Sequence, residues 1–307
     1  MAENIAKEKK TSKRKIHESR GDLLFDIVVY SLSIVALFTI LYPLFFIVIA
    51  SLSDPSEVAN GNVWLYPKGF TLDGYTELLK QTDIWIGYKN TILYTVVGTG
   101  IGLVVNIPAA YALSRKDLWG KKVLTFIFLF TMFFNGGLVP TYLTIQDFHL
   151  YNTFWVMVLP FSVSVYDIIV ARTFFQNSIP ADLWDAAQID GCGNLRYFAC
   201  IVLPLSKAIL AVLGLWIAVG LWNSYFNALI YLKDQSLYPL QLVLRNILVT
   251  NQMQSAMGTG EAAQVALRLA NLLRYSAIIV STVPIMCLYP FVQKYFNKGV
   301  MIGAVKG

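Results

Sequence analysis

Long apolar runs separated by short polar segments dominate this chain. Six of them reach the length a helix needs to cross the roughly 30 Å hydrocarbon core of a bilayer. They lie at about 24–50, 91–113, 122–143, 153–172, 205–230 and 272–292. Asn135-Gly136-Gly137 and Pro140 interrupt the third, and Lys207, near the start of the fifth, can snorkel to an interface. The pattern predicts an all-α membrane protein with six transmembrane helices. A basic arm over 1–22 precedes a transmembrane domain over 23–307.

A polar, turn-containing segment over 178–204 interrupts the apolar runs in the second half of the chain. Ser178, Pro180 and Asp182 form a helix-start signal, with acids favoured in the first turn by the helix dipole. Asp190-Gly191 forms a stop, because glycine tolerates the left-handed conformation that ends helices. The segment between them predicts a helix of about three turns. Leu183, Trp184 and Ala187 fall on one face, and Asp182, Asp185 and Gln188 on another. Such a helix either lies in a partner's groove or packs on its own protein.

Composition agrees with the membrane reading. Hydrophobic residues make up 56% of the 307, charged residues 14%, and mean hydropathy is +0.58. A soluble chain carries about 25% charged residues. Lysine and arginine set orientation. With the N-terminus inside, residues 1–22, 114–122, 172–207 and 293–307 hold 17 of the 24. Both termini and the Asp185 loop are thereby predicted to be cytoplasmic. The net charge of +6 comes largely from the first 22 residues, including Lys7, Lys9, Lys10, Lys13, Arg14 and Lys15. This arm reads as a topology anchor near anionic lipid rather than a nucleic-acid arm. Cys192, Cys200 and Cys287 form no C-x-x-C pattern, and His17 and His149 lie far apart, so no metal site is expected.

The chain carries no G-x-x-x-x-G-K-[ST] phosphate loop, no H-E-x-x-H and no G-x-S-x-G. If transport is ATP-driven, ATP is hydrolysed elsewhere. A proton- or sodium-coupled transporter places ionisable groups within its spans. These spans are nearly free of them; Asp167 is the main exception, expected at an interface or paired with Arg172.

Two clusters are candidates for a substrate path. Trp222, Asn223, Tyr225 and Asn227 lie in the outer half of the fifth span. Aromatic faces and amides suit a sugar, although an outer aromatic belt has the same composition. Helical spacing places Asn223 and Asn227 on one face. Asn135 and Tyr142 flank the break in the third span, where irregular backbone requires protein or water beside it. Residues 231–271 form a long external connection, with a short helix or re-entrant piece over Tyr238 to Arg245, and 51–89 form a second external segment.

Asp185-Ala186-Ala187, then Gly191, then Ile201, Leu203 and Pro204 have the spacing of a known cytoplasmic loop. It resembles the one by which permeases of bacterial ATP-binding-cassette importers dock onto their ATPase. The stretches Phe134 to Tyr142, Trp222 to Asn227, Tyr238 to Leu242 and Tyr295 to Gly307 are also similar to one branch of that family. This branch comprises the carbohydrate-importer permeases related to the maltose-transporter inner-membrane subunits, in the subgroup common in Gram-positive bacteria. The likeness covers roughly 20–307. Asp185 stands where the family has Glu, and Ala208 where proline often follows the Ser-Lys pair.

The resemblance implies a type I importer in the bacterial plasma membrane. Leu183, Trp184, Asp185, Ala186, Ala187, Asp190 and Gly191 would couple this chain to an ATPase. The implied partners are a second homologous permease chain, two ATPase subunits, an extracytoplasmic carbohydrate-binding protein and membrane lipid, with no nucleic acid. ATP and Mg would sit on the ATPase, with no cofactor in this chain. Two other classes remain open from sequence: a secondary transporter of a small polar solute, and a non-transporting membrane scaffold.

Overall fold

The computed structural model describes residues 20–257 and 261–287, with the single positions 290 and 293. Residues 1–19 of the basic arm and the ending Tyr295 to Gly307 lie outside the described residues. Among those described, the chain is helical and forms no strand.

The helices are α1 (Arg20–Ser51), α2 (Pro55–Ala59), α3 (Asp73–Lys80), α4 (Thr82–Ser114), α5 (Lys121–Phe133), α6 (Leu138–Asp147) and α7 (Phe154–Ser162). There follow α8 (Val165–Ser178), α9 (Asp182–Ile189), α10 (Asn194–Leu205), α11 (Lys207–Trp222), α12 (Tyr225–Tyr231), α13 (Leu240–Met257) and α14 (Glu261–Met286). A π-helical turn over Phe198–Val202 lies within α10.

Among the described residues, only α1 and α4 are each long and apolar enough to cross a membrane unbroken. The expected third and fourth spans are bent pairs. The third turns by 112° between α5 and α6 and the fourth by 43° between α7 and α8, whereas the expected fifth, 205–230, takes in α11 and α12 and meets α10 at an 80° bend at its start. The expected sixth span overlaps Ala270–Met286, and part of its C-terminal end lies outside the described residues.

The third span breaks because Gly137 adopts φ 82° and its N–H is taken by Asn135 Oδ1 at 3.0 Å. That local bond replaces a helical one. The interruption expected at Asn135-Gly136-Gly137 thus divides 122–143 into two helices, the first of 13 residues and about 20 Å long.

Helix α4 is the central post, packed against α7, α8, α11 and α13. Gly102 faces the break of the fourth span, where the Ser162 carbonyl lies 2.5 Å from where a Cβ would stand. Pro160 and the break leave backbone groups needing partners. Buried Asn106 supplies them: its Nδ2 donates to Ser162 O (3.2 Å) and its Oδ1 accepts from Ser164 N (3.3 Å). Asp167 is buried in the first turn of α8, where its backbone N–H is capped by Ser164 Oγ at 3.4 Å. Among the described residues it forms no ion pair with Arg172, so that expected pairing is corrected.

At one end of the molecule, side chains of α4 order the connection over 235–240. Asn90 Nδ2 donates to Ser236 O (2.7 Å) and Tyr238 O (3.1 Å), Tyr94 Oη donates to Leu237 O (2.7 Å), and Leu240 N donates to Thr91 Oγ1 (2.8 Å). The expected short helix is thereby an 18-residue helix, α13, which packs along α14. Beyond it, Asp54 caps α2 through Ser56 N (2.8 Å) and pairs with Arg268 at 3.3 Å. The Ser56 N–H, and then Arg268, hold the Asp54 carboxyl below its ordinary range.

Candidate functional site

At the opposite end, α9 crosses the ends of α4 and α8. Its backbone explains its shape. Ser178 ends α8, Ile179 is extended ahead of Pro180, and α9 begins only at Asp182, after Ala181. The helix has eight residues, about two turns rather than the expected three, and no side chain caps its start. Its end is a complete Schellman turn: Gly191 N donates to Gln188 O (3.0 Å) and Cys192 N to Ala187 O (2.8 Å). The turn requires a left-handed residue, and Gly191 has φ 72°.

The helix is seated on its own chain by two of its residues. Ala187 is buried with Ile107, Ala110 and Leu113 of α4, Phe175 of α8 and Tyr197 of α10. Trp184 meets the Tyr197 ring edge-on, with centroids 4.9 Å apart, and the Arg115 guanidinium lies 3.8 Å above its ring. Arg115 is itself fixed by Asp117 at 2.8 Å. That bond holds the Asp117 carboxyl below its ordinary range. Lys121 Nζ donates to Ser114 O (3.0 Å) and Arg115 O (2.9 Å), satisfying carbonyls at the end of α4 where a cation suits the helix dipole. A cavity of about 730 Å³ lies between these groups, with Asp185 and Gln188 on its wall.

The rest of the segment faces outward. Leu183, Asp185, Ala186, Asp190 and Gly191 are exposed. So are two large apolar side chains flanking the Gly191 turn, Ile189 at 87% and Leu195 at 85%. The expected apolar face of Leu183, Trp184 and Ala187 is thus divided, with Trp184 and Ala187 inward and Leu183 outward. Sequence reasoning missed Ile189, Leu195 and Arg115. An isoleucine at the last helical position next to Asp190-Gly191 was a usable signal; Arg115, far off in sequence, gave none.

The substrate-path candidates are dispersed. Trp222 is buried between α11 and α14, its Nε1 donating to Ser281 O at 2.9 Å, so it is a packing residue in this chain. The helix stops at Asn223 and restarts at Tyr225, which removes the continuous spacing expected to align Asn223 with Asn227. Asn223 Nδ2 donates to Val219 O (2.9 Å), and Gln241 Nε2 approaches its Oδ1 at 3.5 Å. Tyr225 lines a separate cleft with Gln241 and Arg245, whereas Asn227 is half-buried outside it. Tyr142 packs against Tyr151 and Tyr231, at 5.7 and 6.1 Å between centroids. Asn135 is exposed at the third-span turn.

No family model matches the chain. Similar proteins do. The polygalacturonan/rhamnogalacturonan transport system permease protein YtcP of Bacillus subtilis (strain 168) is 36% identical over 288 residues, covering 92% of this chain and 99% of its own. Protein LplC of the same strain is 35% identical over 293 residues, covering 95% of this chain and 98% of its own. The chain belongs to the permease subunits of ATP-binding-cassette carbohydrate importers. A crystal structure of a bacterial ABC transporter involved in import of the acidic polysaccharide alginate contains a chain with the same fold. It superposes with a TM-score of 0.81 at 33% identity, covering 91% of this chain and 99% of that one. As an importer permease, the chain is membrane-embedded and not itself an enzyme; ATP is hydrolysed by separate ATPase subunits.

Proposed function

We propose that this permease docks a cytosolic ATPase through the segment from α9 to the start of α10. The observation that carries this is the exposure of Ile189 and Leu195, large apolar side chains flanking the Gly191 turn, on a helix that Trp184 and Ala187 seat on its own chain. Burying an aliphatic side chain of that size is worth about 1.5–3 kcal/mol. Two such residues left in water on a rigidly capped loop fit a partner's groove. In this reading both termini and the loop are cytoplasmic, in keeping with the 17 of 24 basic residues. A second permease chain completes the path, and two ATPases, which bind ATP and Mg, each take one docking loop. An extracytoplasmic binding protein delivers the sugar.

The motion has a route. Closure of the ATPases pulls α9, which is locked through Ala187, Trp184 and Arg115 to α4, the helix that spans the molecule. The same pull reaches α11 through α10 and the 80° bend at Ser206. Asp185, exposed on the cavity wall, is free to accept a donor from the ATPase.

The substrate class in this proposal is an acidic oligosaccharide. The similar permease is named for polygalacturonan and rhamnogalacturonan transport, and the similar structure imports alginate. The docking role is tested with the double variant Ile189→Asp, Leu195→Asp in the full complex. We expect the permease to stay in the membrane while its affinity for the ATPase falls about 100-fold, the loss of roughly 3 kcal/mol of apolar contact. ATPase co-purifying at wild-type level would refute the docking role.

A further inference from the structure

A cleft of about 420 Å³ opens beside the break between α11 and α12. Tyr225 of α12 forms one side, Gln241, Leu244, Arg245 and Leu248 of α13 a second, and Ala277, Ile278 and Ser281 of α14 a third. Its size falls within the range of small-molecule sites, about 300–1,000 Å³. The wall is mainly aliphatic. Ser281 Oγ is already engaged, donating to Ile278 O at 3.0 Å. Gln241 leans on Asn223. Among the described residues, Arg245 is the one cation that lines the cleft, and no carboxylate lines it.

Arg245 is exposed and forms no ion pair or hydrogen bond among the described residues. It projects from an apolar stretch, Leu240–Thr250, that packs against two membrane helices. An arginine so placed does not face hydrocarbon; it faces water, protein or a bound group. Arg274, one helical turn from Ile278, is a second exposed cation on α14, which adds to the positive field. Beside Arg245, Tyr225 is 42% exposed, and its ring offers a flat apolar face.

We infer that Arg245 recognises the carboxylate of an acidic sugar in this cleft, with Tyr225 as the platform for the sugar ring. The planar guanidinium presents parallel donors that match both oxygens of a carboxylate, a geometry a hydroxyl cannot reproduce. The sugar's charge supplies the counter-ion that the described residues do not. Gln241, whose Nε2 approaches Asn223, lines the cleft where ring hydroxyls need donors and acceptors. This assignment rests on the acidic-oligosaccharide reading above, and names the residue that would enforce it.

The test uses the complete importer in proteoliposomes with its binding protein, and tri-galacturonate as the probe. Wild type, Arg245→Lys and Arg245→Gln are compared for uptake and for co-purification of all subunits. We expect Arg245→Gln to lower uptake about tenfold or more, the factor for losing one charge-assisted pair, with the complex intact. Arg245→Lys keeps the charge without the fork and should fall between the two. Uptake by Arg245→Gln at the wild-type rate would overturn the assignment alone. Loss of the complex in both variants would also overturn it, placing Arg245 against a carboxylate of the second permease instead. Failure of the wild type to import tri-galacturonate would overturn the acidic reading and the assignment together.

Discussion

Gly191 is the residue on which the proposed docking segment turns. Its φ of 72° costs an L-residue about 1–2 kcal/mol, and a β-branched one more. No atom lies within 4 Å of where its Cβ would stand, so the cost of a substitution is conformational and not a clash. The penalty falls on the Schellman turn, which sets where α9 ends and where Leu195 emerges. We expect Gly191→Val to leave the permease in the membrane while uncoupling ATP hydrolysis from uptake, measured in the same vesicles. Gly191→Asn, which enters the left-handed region more easily, should retain more uptake than the valine variant. Equal uptake by all three proteins would count against a role for this turn in coupling.

Among the elements, α4 bears most of the internal contacts, and its glycines let neighbours approach. At Gly102 the Ser162 carbonyl, a backbone group, occupies the space of a side chain. That carbonyl is also the acceptor for Asn106, which closes the break in the fourth span. A larger residue at 102 would separate α4 from α7 and leave the Asn106 amide short of a partner. Overpacking costs about 1–3 kcal/mol and an unsatisfied buried amide about 1–3 kcal/mol more. We expect Gly102→Leu to lower the temperature at which the purified permease aggregates, with a smaller shift for Gly102→Ala. Gly100, on the same helix with nothing within 4 Å, is the control, and Gly100→Leu should be tolerated. Equal shifts at 100 and 102 would show that the close approach is not what the helix depends on.

At the scale of the whole molecule, the two ends have different work. One carries α9 on the ends of α4 and α8; the other carries α2, α3 and the α13–α14 hairpin, joined by the Asp54–Arg268 pair. Helix α1 exposes most of its side chains and packs chiefly on α14, which leaves a long apolar face for lipid or for the second permease proposed above. If the docking end is cytoplasmic, Lys233→Cys should react with a membrane-impermeant thiol reagent in intact cells. Cys192 should react only after permeabilisation. The reverse pattern would invert the molecule and remove the docking reading with it.

The sequence by itself determined what depends on local chemistry. Apolar run length marked the membrane segments, and Asn135-Gly136-Gly137 marked the 112° turn, because glycine and an asparagine side chain act on their own backbone. Asp190-Gly191 marked the end of α9 for the same reason. Period also showed that Trp184 and Ala187 share a face, but period carries no information about what that face meets. Only the tertiary structure turned them onto Tyr197 and Arg115, left Ile189 and Leu195 in water, and placed Trp222 in a helix contact. The bend in the fourth span and the long α13 were equally hidden. Their polar backbone is satisfied by Asn106, Asn90 and Thr91, side chains 56 to 149 residues away in sequence. The backbone freed at the fourth-span break is reached by a distant side chain, Asn106, and folding alone brings the two together.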